Sequence, residues 1–119
     1  SAASADEGYK QCLDNPEHFS TADAIDCAVA WRKRQDTELN AVWKDALATV
    51  GGRKSNAGKL LVEEQRAWIT FKDKACNFYW LQPEFGSMHR GYIGPSCVGD
   101  IYDARIAQLK DIITSIRQN

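Results

Sequence analysis

"STADAIDCAVAWRKRQDTELNAVWKDALATVGG", residues 20–52, decides the fold. Ala28, Trp31, Gln35, Leu39, Val42 and Ala46 recur at steps of three and four, which places them on one stripe of an α-helix. Trp43, Leu47 and Val50 widen that stripe. Ser20 is a suitable N-cap, and Asp23 stands three residues on, as in a capping box. Gly51-Gly52 ends the pattern, as glycines do at helix C-termini. The helix spans roughly 30 residues, so about 45 Å at 1.5 Å per residue.

Working outward, a short helix is predicted from Asp6 to about Leu13, ended by Asp14-Asn15-Pro16. Residues 1–5, Ser-Ala-Ala-Ser-Ala, are expected to be disordered or a tag remnant. On the other side, Arg53-Lys54-Ser55-Asn56 reads as a tight turn into an antiparallel helix from about Ala57 to Leu81. Its expected core face is Leu60, Leu61, Trp68, Phe71, Ala75 and Phe78. "QPEFGSMHRGYIGPSCVG", residues 82–99, reads as a loop, because it holds two prolines and four glycines. A third long helix is predicted from about Cys97 or Val98 to Arg117, with Val98, Tyr102, Ile106, Leu109, Ile113 and Ile116 as its stripe. No segment alternates as a strand would. The expected fold class is all-α: a small disulfide-stapled helical bundle of two long antiparallel helices, a third long helix and a short N-terminal helix. Residues 1–119 are read as a single domain.

A net charge of −1 argues against general nucleic-acid binding, since the one basic run, Arg32-Lys33-Arg34, reads as a solvated helix face. No apolar run approaches the roughly 20 residues that span a bilayer. Cys12, Cys27, Cys76 and Cys97 form no C-x-x-C, and His18 and His89 have no helical histidine partner, so no metal site and no cofactor are expected. An even number of widely spaced cysteines in a small chain points instead to disulfides and an oxidising compartment. Three pairings are open to four cysteines; the local one, Cys12–Cys27 and Cys76–Cys97, is adopted here. Each of its loops is worth on the order of 3 kcal/mol in the chain-entropy account.

No catalytic set is visible: there is no G-x-S-x-G and no H-E-x-x-H, and the adjacent Glu63 and Glu64 diverge on a helix. The chain is therefore read as not an enzyme. Of the tryptophans, Trp31, Trp43 and Trp68 fall among apolar residues and read as core, while Trp80 is expected to be the most exposed. Gln65, Asp73, Arg105 and Glu38 lie beside apolar stripes. Buried charges need partners, so Arg105 is expected to reach a carboxylate on a neighbouring helix, with Asp73 the first candidate.

Taken together, Cys27, Glu38-Leu39-Asn40, Gln65-Arg66-Ala67-Trp68, Phe71-Lys72-Asp73, Cys76, Gly86-Ser87, Cys97 and Arg105-Ile106-Ala107-Gln108-Leu109 resemble the LprI-type lysozyme-inhibitor domain family. The resemblance covers about residues 10–113. Phe71 and Lys72 stand where the family often has Tyr and Arg. It implies an exported bacterial protein, periplasmic or secreted, that binds a protein partner and inhibits lysozyme. Within that reading, the segment Gln82–Gly99, closed at its base by Cys76–Cys97, is the expected partner-binding loop. It would enter the catalytic cleft with Ser87, His89 and Arg90 as donors and Phe85, Met88 and Tyr92 as apolar contacts. Gln65, Asp73 and Arg105 are read as structural. The competing reading is a periplasmic interaction module with a non-lysozyme partner. Either way, a monomer or weak dimer is expected.

Overall fold

The computed structural model describes residues 6–118. The expectation for residues 1–5 lies outside the described residues. All regular structure among the described residues is helical, with no strand: α1 (Glu7–Asp14), α2 (Thr21–Thr49), α3 (Asn56–Ala75), α4 (Asn77–Leu81), α5 (Gly86–Met88) and α6 (Gly94–Arg117). A 3-10 turn, Pro83–Phe85, and a π-helical turn, His89–Ile93, flank α5.

Local chemistry sets the helix ends. Asp6 caps α1 by accepting the Tyr9 N–H at 2.7 Å. The expected capping box starts α2: the Asp23 N–H donates to Ser20 Oγ at 3.1 Å, and the Ser20 N–H donates back to Asp23 Oδ2 at 3.3 Å. The Ser20 hydroxyl, donating to Asp23 Oδ2 at 2.9 Å, and then the Ser20 N–H hold the Asp23 carboxyl below its ordinary value. Gly51 and Gly52 adopt φ of 104° and 85°, the left-handed region that lets the chain turn back after α2.

Cross-helix contacts define the directions. Glu38 meets Lys110, and Asp45 meets Arg117, so α2 and α6 run parallel. Glu64 and Trp68 meet Arg105 and Tyr102 in reversed order, so α3 runs antiparallel to both. Leu39, Ala46, Leu61, Tyr102, Ile106, Leu109 and Ile113 form the main core. A second cluster, Tyr9, Cys27, Ala28 and Trp31, docks α1 on α2. There Tyr9 stacks on Trp31 at 4.5 Å, Asp6 pairs with Arg34 at 2.6 Å, and Cys12–Cys27 ties the far end.

Several sequence expectations need correction. The helix predicted to reach Leu81 breaks at Cys76, and a separate short helix, α4, starts after it. The face assigned to α3 is too wide: Leu61 is buried and Trp68 and Ala75 half-buried, but Leu60, Phe71 and Phe78 are exposed. The seam that faces the other helices runs through Leu61, Gln65, Trp68 and Lys72 with Glu64 at its edge, and Leu60 and Phe71 lie to its sides. The loop predicted over 82–99 is mostly helical turns. Two of its glycines are packing notches: a Cβ on Gly94 would lie 2.3 Å from the Trp80 ring, and one on Gly99 would lie 1.9 Å from the Trp31 ring. Trp80 is accordingly half-buried rather than exposed.

Candidate functional site

The Cys76–Cys97 disulfide joins the α3–α4 break to the first turn of α6, with Cα atoms 6.1 Å apart. Everything between its cysteines forms a closed corner at one end of the bundle. In "NFYWL", residues 77–81, four large apolar side chains follow one another at about 100° per residue, so a helix cannot bury them all. Trp80 turns in against Gly94, whereas Phe78 and Leu81 face solvent, Leu81 at 67% exposure.

The corner is built on aromatic contacts. Phe78 lies 4.1 Å from Tyr79 and 6.4 Å edge-on to Phe85, and His89 stacks on Tyr79 at 5.7 Å. His89 Nδ1 donates to the Phe85 carbonyl at 2.8 Å, which closes the turn between them. Gly91 is buried against Thr21 of α2, where a Cβ would meet the Thr21 methyl at 3.1 Å.

The structure sorts the residues expected to bind a partner. Phe85, Ser87, Met88 and Arg90 are exposed, with Met88 at 59%. His89 is half-buried and committed to the turn. Tyr92 is half-buried and lines a shallow groove shared with Tyr79, Ser96, Asp100 and Ile101. Phe78 and Leu81 belong with the exposed set, although sequence periodicity placed Phe78 in the core. The excess of apolar residues in "NFYWL" over what one helix face can bury was the readable signal.

The expected pairing of Arg105 with Asp73 is incorrect. Arg105 binds Glu64, with Nη1 to Oε2 at 2.7 Å, and Nε donates to Gln65 Oε1 at 2.9 Å. Asp73 lies eight residues past Gln65, roughly 12 Å farther along α3, and pairs with Lys72 at 3.1 Å. Gln65 and Arg105 are thus structural partners, and Asp73 is a surface residue.

The basic run also differs from its expected solvated face. Lys33 is exposed and Arg34 is paired with Asp6, but Arg32 folds inward over the rings of Tyr102 at 4.9 Å and Trp31 at 5.3 Å. Burial pushes its guanidinium below the ordinary arginine value. His18 lies between Cys12 and Cys27, but both sulfurs are spent in their disulfide and the His18 ring bonds the Cys12 carbonyl at 2.6 Å, so the three make no metal ligand set.

No curated protein and no solved structure matches the chain significantly. A family model described as lysozyme inhibitor LprI matches residues 12–109, which takes in both disulfides, Gln65, Arg105 and the whole corner. The chain therefore belongs to the LprI lysozyme inhibitor family.

Proposed function

We propose that this protein inhibits lysozyme by seating its disulfide-closed corner, residues 77–93, over the enzyme's catalytic cleft. The observation that carries this reading is the exposure of Phe78, Leu81, Phe85, Ser87, Met88 and Arg90 on one short disulfide-closed segment. Apolar groups of this kind supply most of the energy at a protein interface, and an arginine often anchors its centre. Lysozyme cleaves with two carboxylates in an open cleft. Arg90 offers them a bidentate donor, and Ser87 a hydroxyl. The corner is held by Cys76–Cys97 and by its aromatic stack, so little entropy is lost on binding. The mode is docking of a rigid helical corner rather than insertion of a flexible loop. The protein acts without catalysis, as a monomer or weak dimer. Both disulfides suit an oxidising compartment, the periplasm or the cell exterior.

The test is lysis of a bacterial cell-wall suspension by several lysozyme types, with and without the oxidised protein. Inhibition is expected, and Met88→Asp and the pair Ser87→Ala with Arg90→Ala should each weaken it by about tenfold or more while leaving thermal melting unchanged. Inhibition that survives these changes would move the site to a helix face. Failure against every lysozyme type would favour an interaction module with a different partner.

A further inference from the structure

Exposed apolar surface does not stop at the corner. Ile25 and Val29, in the N-terminal turns of α2, are 40% and 49% exposed. They stand four and eight residues after Thr21, so the three share one stripe of the helix. Thr21 is the residue on which Gly91 of the corner packs, with Ala24 beside it. The stripe therefore begins where the corner touches α2.

A groove of about 560 Å³ runs along this stripe, walled by Ile25, Val29, Trp80, Pro95 and Val98. Arg90, an exposed residue of the corner, also lines it. The groove offers apolar contact rather than a free charge. Lys72 pairs with Asp73 at 3.1 Å. Arg32 has the charges of Asp36 and Asp103 acting on it and donates to the Pro95 carbonyl at 3.1 Å.

We infer that the α2 face of Ile25 and Val29 is the second half of the lysozyme-binding surface, continuous with the corner through Arg90. This rests on the reading of the corner as the inhibitory site. Two observations favour one partner lying across both. Arg90 belongs to each surface, so an enzyme that takes its guanidinium also stands at the groove. The second is size. A stable protein interface uses roughly 20–30 residues a side. The exposed part of residues 77–93 falls short of that, and the α2 stripe adjoins it. Because the groove's own charges are paired, what it takes from the enzyme is apolar side chains on the rim of the cleft, while the corner meets the carboxylates.

The experiment compares Ile25→Glu, Val29→Glu, Met88→Asp and Leu60→Glu in inhibition of the lysozyme types, with ¹⁵N spectra of the parent protein recorded with and without lysozyme. Leu60 is a 67% exposed residue past the turn at the other end of α2 and serves as the control. Ile25→Glu and Val29→Glu should each weaken inhibition by about fivefold or more with melting unchanged, and Leu60→Glu should not. Lysozyme should broaden the amides of residues 25–29 together with those of the corner. Inhibition lost in Met88→Asp but intact in both α2 variants would overturn this inference and leave the corner standing. Inhibition lost in the α2 variants but intact in Met88→Asp would overturn the continuous surface. Shifts at Ile25 and Val29 that follow the concentration of the protein alone would assign the face to a second copy and overturn it too. Failure to inhibit any lysozyme would remove the corner reading and this inference together.

Discussion

Arg105 of α6 and Glu64 of α3 form an ion pair with one dry end and one wet end. Arg105 is 1% exposed, whereas the Glu64 side chain is 49% exposed. Glu64 binds both terminal nitrogens, while Gln65 and Gln108 supply further oxygens at 2.9 Å and 2.6 Å. The pair spans the seam where α3 meets α6, flanked by Leu61 and Trp68. With so narrow an apolar seam, the guanidinium fixes the register of α3.

Removing Glu64 leaves a buried cation with amides alone. Glu64→Ala should cost about 2 kcal/mol, less than the 3–5 kcal/mol of a fully buried pair because Glu64 already meets water. Arg105→Met should be better tolerated in the Glu64→Ala background than alone. Urea unfolding of the four proteins in a double-mutant cycle checks this, and a coupling below about 0.5 kcal/mol would contradict it.

Gly99 faces Trp31 so closely that no side chain fits. A Cβ there would lie 1.9 Å from the ring, and Trp31 is itself held by Tyr9. Gly99→Ala should force α6 away from α2 and cost about 1–3 kcal/mol or more, despite alanine's better helix propensity. A lower melting temperature with altered tryptophan fluorescence is the expected readout.

The two disulfides should have separable effects. Cys76→Ser with Cys97→Ser, and Cys12→Ser with Cys27→Ser, should each cost about 3 kcal/mol in the chain-entropy account. Amide exchange tells them apart. The first pair should speed exchange across 77–93 and weaken lysozyme inhibition. The second should release α1 and the Tyr9–Trp31 stack and leave the corner protected.

Asp103 is held in a place that disfavours its charge. Burial raises its carboxyl, the Gln35 amide pulls it down by donating at 2.9 Å, and the neighbouring Asp100 and Glu38 raise it again. Its Oδ2 is buried without a partner. A folded-state value raised above the ordinary 3.8 contributes stability that is present below 3.8 and lost as pH rises through the folded value. Asp103→Asn should therefore stabilise the protein at pH 7, by up to about 1 kcal/mol, and the gain should vanish toward pH 3.8. Paired thermal melts across that range check the sign.

What could be read from the sequence was what short-range geometry determines. The α2 stripe from Ala28 to Ala46, the Ser20–Asp23 capping box, the Gly51-Gly52 stop and the α6 stripe all follow from contacts within a few residues along one helix. The local disulfides belong with them, since Cys12–Cys27 and Cys76–Cys97 close the two shortest loops. The rest needed the third dimension. Glycines at 94 and 99 look like loop punctuation, yet they lie within α6, and glycine is needed there because the Trp80 and Trp31 rings occupy the space a side chain would fill. The inward turn of Arg32 and the choice of Glu64 over Asp73 depend on how α6 lies against α2 and α3. The candidate site was legible only in part. Ser87, Met88 and Arg90 could be named from the closed segment, but the exposure of Phe78 and Leu81 was settled by the break at Cys76, where packing against α6 decided which apolar residues stay outside.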